Sequence, residues 1–159
     1  MNKYEVDFTI KHCYVDDIIS KHRQDLAEAR IITMFRNGDW TSQRQTVWGK
    51  VDKVNDKTKA LLGENEECDF IITINRDIWE MLNEDERMAL IDHELGHCWV
   101  AGTEYKIAGH DIEDFHDVIR RHGRWNKAVE RTIKAHEDYK NQLTLFDNVT
   151  PIDRRATGE

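Results

Sequence analysis

Asn83 to Gly102, NEDERMALIDHELGHCWVAG, is the stretch from which the rest of the chain is read. It contains His93-Glu94-Leu95-Gly96-His97, the H-E-x-x-H spacing. On a helix, residues four apart lie on one face, so the imidazoles of His93 and His97 can share one metal ion with Glu94 beside it. A zinc ion with three protein ligands keeps a position for water and lowers that water's pKa towards ~7. A neighbouring carboxylate then takes the proton as the water attacks a carbonyl. The chemistry implied is metal-assisted hydrolysis, most often of a peptide bond.

The segment also carries its own helix signals. Asn83 is a capping residue, Glu86 completes a capping box, the first turn is acidic, and Gly102 is a natural stop. Met88, Ala89, Leu90, Ile91, Leu95, Cys98, Trp99 and Val100 make the predicted helix apolar nearly all round, as in a buried helix. Two histidines and a glutamate on such a helix need compensation, and a metal supplies it. Coincidence is the competing explanation, because the chain holds 8 His and 31 Asp plus Glu.

At 159 residues, 39% hydrophobic and 34% charged, the chain has the composition of one soluble domain with a real core. A net charge of −8 argues against a protein that coats nucleic acid generally, although local basic patches survive an acidic total. The N-terminal MNKYEVDFTIKHCY has no continuous apolar stretch, and no run approaches the ~18 apolar residues of a membrane span. Cys13, Cys68 and Cys98 show neither a disulfide framework nor a zinc knuckle. These features predict a soluble, unexported protein in a reducing cytosol, with Cys98 a core residue and not a ligand.

Working outward, Val15–Ala29 reads as an amphipathic first helix, and Ala29–Phe35 as a strand or the end of that helix. Thr46–Val54 alternates as a half-exposed strand, Lys57–Leu62 as a short turn or helix, and Phe70–Ile74 as the strongest strand. A strand beside the metal can present an edge to which an extended peptide adds itself. Thr103–Gly109 reads as a connection, Asp111–His122 as a helix ended by Gly123, and Trp125–Gln142 as the final helix. The expected division is a domain over 1–142 and a polar tail over 143–159.

The third metal ligand is open on spacing alone. Thr103 occupies the position six residues past His97, so the short-spaced histidine is absent. His110 is the first later histidine and lies where the chain turns back, and Glu113 and His116 compete with it.

His93-Glu94-Leu95-Gly96-His97, followed by Gly109-His110 and Phe115, is similar to the SprT-like or Spartan-like zinc metalloproteases. The run from Phe70 to Trp125 also resembles the metallopeptidases of bacteriophages. The resemblance implies zinc on His93, His97 and His110, and Glu94 as general base. It implies an α+β, zincin-like fold: an N-terminal helix, a small three-stranded sheet, the active helix and C-terminal helices. Spartan-like enzymes cleave proteins crosslinked to DNA, which would make DNA and protein joint partners. The connection from His97 to His110 is slightly shorter than that family's.

Two further stretches bear on partners. Arg120, Arg121, Arg124 and Lys127, with His122, Arg131 and Lys134, form a basic segment that suits phosphates or a solvated helix face. Gln142-Leu143-Thr144-Leu145-Phe146 resembles the short peptide by which bacterial repair proteins dock on the sliding clamp. Alternatively, Leu143, Leu145 and Phe146 pack back on the domain. Against the zinc endopeptidase stands a non-catalytic, zinc-stabilised module that binds DNA, a clamp or a host protein. Glu94 separates the two, because a closed structural site has no need of it.

Overall fold

Asp7 ends the first strand and starts the first helix, its carboxylate accepting from Ile10 N at 2.9 Å as an N-cap. The computed structural model describes residues 1–63, 67–112 and 115–147, without the side chains of 145–147. The chain forms two compact units, residues 1–109 and 110–159.

In the first unit, β1 (Tyr4–Val6) leads into a helical segment made of α1 (Phe8–Ile10), a π-helical turn (Lys11–Val15) and α2 (Asp16–His22). A short 3-10 turn, Gln24–Leu26, delivers the chain to β2 (Ile31–Arg36). The small hairpin β3 (Thr41–Ser42) and β4 (Gln45–Thr46) precedes β5 (Gly49–Lys53) and α3 (Asp56–Leu62). Then come β6 (Phe70–Asn75), α4 (Arg76–Met81), α5 (Glu84–Gly96), β7 (Cys98–Ala101) and β8 (Glu104–Ile107).

The fold is α+β, with a main sheet of four strands in the order β1-β2-β6-β5. Three strands were expected; the fourth, β1, is three residues long and carries too little alternation to stand out. β2 and β6 run parallel, from Ile31 opposite Phe70 to Arg36 opposite Asn75. β5 pairs antiparallel with β6 as an outer strand, Gly49 opposite Ile74 and Lys53 opposite Phe70. Alternation puts Ile31, Thr33 and Phe35 of β2 inward, the period-2 pattern of a strand with one face buried.

The core joins that face to Ile10, Tyr14, Val15 and Ile18 from the N-terminal helical segment and to Leu90, Ile91 and Leu95 from α5. Trp79 stands edge-on to Tyr14, ring centroids 5.0 Å apart, and the Tyr14 hydroxyl donates to Glu84 at 2.8 Å. These contacts fix the start of α5 against the first helices. The first helix begins well before Val15, because Asp7 caps it.

In the second unit, α6 (His116–His122) starts five residues later than the periodicity suggests, and α7 runs from Lys127 to Asp147. Asn126 caps α7 by accepting from Val129 N at 2.9 Å. Gln142 to Phe146 therefore belongs to the helix instead of to a helix–tail junction. Among the described residues, no helix is long and apolar enough to cross a membrane.

Candidate metal centre

Asn83 accepts from Glu86 N at 2.9 Å while the Glu86 carboxylate accepts from Asn83 N at 2.9 Å, so the capping box is complete. The helix that it starts ends at Gly96 and not at Gly102. His97 still has helical dihedrals, φ −76 and ψ −20, so the four-residue relation between His93 and His97 survives. Their rings are 5.2 Å apart.

Cys98–Ala101 leaves the helix because it pairs with Glu104–Ile107 in a hairpin, where a connection was expected. Gly102, with φ 64, is the first residue of the two-residue turn and takes the conformation that favours glycine there. Cys98 is fully buried and its thiol is pushed up to about 12 by burial, which suits a core residue.

The hairpin returns the chain to the end of α5. Ala108 N donates to His97 O at 2.8 Å, and Ala108 O accepts from His97 Nδ1 at 2.7 Å. His110 is two positions past Ala108, a reach of roughly 7 Å at most. One ligand atom from each of His93, His97 and His110 lies within 4.8 Å of the others. His93 and His110 are exposed and His97 is half-buried.

This donor set fits a metal. A carbonyl oxygen only accepts, so His97 Nδ1 carries the proton and the lone pair is on Nε2. Such a bond to the second ring nitrogen is the usual way in which a ligand histidine is oriented. Three imidazoles suit Zn²⁺ and other borderline divalent ions.

Glu94 is 3% exposed. Burial pushes its carboxyl up to about 7, against the opposing charge of His97. A carboxyl with that proton affinity is suited to exchanging protons near neutral pH.

Two residues that the sequence reading passed over hold this arrangement. The Arg23 guanidinium donates to Leu95 O at 2.5 Å and to Cys98 O at 2.6 Å, while Asp25 pairs with it at 2.9 Å. Arg23 thus occupies a carbonyl in the last turn of α5 and the first carbonyl of β7, 72 and 75 residues away in sequence, and no local signal announces it. Gly49, at the start of β5, lies against Glu94: a Cβ there would stand 2.5 Å from Oε1. A glycine inside a strand pattern was the available signal.

Of the other candidates for third ligand, Glu113 lies outside the described residues, and His116 is the first residue of α6. In the basic segment, Arg120 and Arg121 end α6, Arg124 follows it and Lys127 opens α7. Arg120 pairs with Asp117 at 2.6 Å, and Arg124 with Glu137 at 2.7 Å. Gln142 and Leu143 are exposed on α7; the side chains of Leu145 and Phe146 lie outside the described residues.

A family model described as "Putative phage metallopeptidase" matches residues 5–137. No curated protein and no solved structure matches the chain. The match takes in most of β1, the rest of the main sheet, α5 with its histidines and the first half of α7, and the chain belongs to the phage metallopeptidase family.

Proposed function

We propose that the chain is a zinc-dependent endopeptidase in which His93, His97 and His110 hold the ion and Glu94 is the general base. The observation that carries this reading is a buried carboxylate on the same helix turn as two histidines of a three-histidine group. A structural site would need the histidines without the carboxylate.

Zinc, when bound there, supplies a Lewis acid and brings the pKa of a water near neutrality. The remaining steps belong to the chain. His97 keeps its ring aimed by donating Nδ1–H to Ala108 O. A carboxylate oxygen of Glu94 accepts the proton of the attacking water and returns it to the leaving amine nitrogen. β5, as the outer strand beside Glu94, offers its backbone to an extended substrate adding as one more strand. Unfolded proteins and peptides are the substrates that such recognition favours.

The SprT-like resemblance adds DNA-associated proteins as a substrate class. Arg120, Arg121, Arg124 and Lys127 are the residues that would support it, and two of them are engaged by carboxylates. The clamp-like Gln142–Phe146 segment is helical, whereas docking as an extended peptide requires that turn to unwind. Neither partner enters the mechanism.

Substituting Glu94 by Gln keeps the shape and removes the base. The variant is expected to bind the same amount of zinc and to lose cleavage of an unfolded protein substrate by roughly 10²–10⁴-fold. Equal proteolysis by wild type and Glu94→Gln would overturn the mechanism.

A further inference from the structure

We infer that Gly49 is a positioning residue, whose missing side chain is the slot that receives the Glu94 carboxylate. The inference rests, for its consequence in catalysis, on Glu94 being the general base. Its structural part stands independently.

Three observations carry it. A Cβ at Gly49 would lie 2.5 Å from Glu94 Oε1, 2.9 Å from its Cδ and 3.1 Å from Ile74 Cδ1. Real Cβ atoms do not approach other heavy atoms as closely as the first two distances, so something must move. At Gly38, Gly63, Gly96, Gly102, Gly109 and Gly123, by contrast, an added Cβ would meet nothing within 4 Å. Gly49 is also absent from the positive-φ glycines, so its backbone would accept an alanine. Space, and not conformational freedom, is what glycine provides at this position.

Which partner yields is decided by what anchors each. The backbone entering β5 is pinned: Asn75 N donates to Trp48 O at 2.9 Å, and Asn75 Nδ2 donates to Val47 O at 2.9 Å. Asn75 is buried and caps α4 with its side-chain oxygen, so it is itself held. Gly49 is further fixed by its place in the β5–β6 ladder opposite Ile74. The Glu94 carboxylate is the end of a side chain with rotatable bonds. The substitution Gly49→Ala therefore displaces the carboxylate and leaves the sheet and the histidines in place.

The test is a double-substitution cycle on the full-length, zinc-loaded protein: wild type, Gly49→Ala, Glu94→Ala and the double variant, with Glu94→Asp added for activity. Gly49→Ala is expected to bind zinc as wild type does and to lose about 100-fold in kcat, the scale of an ångström-size misplacement. It should also lower Tm by about 3–8 °C when Glu94 is present, and by less than half of that on the Glu94→Ala background. Glu94→Asp, which shortens the side chain by one methylene, should cost activity in the wild-type protein and restore part of it in Gly49→Ala.

A Tm loss of the same size with Glu94 present and on the Glu94→Ala background would mean that the added methyl group clashes with Ile74 alone, and would overturn the slot. Wild-type kcat in Gly49→Ala would overturn it as well. If wild type cleaves no substrate while the Tm coupling holds, the general-base reading fails and the slot stands.

Discussion

Glu94 is the residue on which the proposed chemistry turns, and its environment bears on stability as well as activity. In the metal-free protein, burial raises its carboxyl from 4.5 to about 7. The folded state then binds this proton more tightly than the unfolded chain. The contribution of Glu94 is therefore fully present below about pH 4.5 and is lost as the pH rises to 7. The loss is about 3 kcal/mol for that shift. Glutamine has no such proton. Denaturant unfolding of metal-free wild type and Glu94→Gln across pH ~4–8 should show the wild type losing about 3 kcal/mol relative to the variant. Parallel curves would remove the buried, near-neutral carboxyl from this description.

At this scale the histidines and the glutamate were readable because four-residue spacing is a local property of a helix. Gly49 was not, because an alternating strand tolerates a glycine as a small inward residue. What makes this one matter is Glu94, a side chain far along the chain. Arg23 was hidden for the same reason: its partners are carbonyls of residues still farther along the chain.

Among elements, α5 has both of its ends fastened by side chains. Its start has the capping box of Asn83 and Glu86, its end the Arg23 guanidinium. Removing the guanidinium leaves Leu95 O and Cys98 O without their charged donor, a cost of about 1–3 kcal/mol. It also loosens the turn that carries His97, where displaced supporting bonds commonly cost about 10–100-fold in metal affinity. Arg23→Ala should show both losses in thermal unfolding and zinc titration, and Arg23→Lys should recover little, because an ammonium cannot span two carbonyls in a fork. Unchanged zinc affinity in Arg23→Ala would leave Arg23 as a core-edge brace with no bearing on the site.

The start of α5 was read well because the Asn83 cap is a chemical signal, whereas the starts of the first helix and of α6 were misplaced. The stop was misread. Cys98-Trp99-Val100 continues the apolar face of α5 in sequence, yet β7 needs β8 as a partner, and a hairpin depends on that pairing and on the Gly102 turn. The strength of Phe70–Ile74 as a strand was plain from its β-branched residues. Its parallel partner Ile31–Arg36 lies too far away for any local pattern to nominate.

Over the whole molecule, long-range pairing turns a two-histidine motif into a three-histidine group. The main sheet and the N-terminal helices seat α5, and the β7–β8 hairpin folds the chain back so that Ala108 bonds to His97 and His110 arrives beside it. The sequence offered His110, Glu113 and His116 for the last place. The return of the hairpin favours His110.

Zinc content of the purified full-length protein and of His110→Ala, by elemental analysis, tests that arrangement. Near one zinc per chain in wild type and a clear loss in His110→Ala is the result predicted. Full retention by the variant would contradict the three-histidine site, as would a wild type that takes up no zinc on reconstitution.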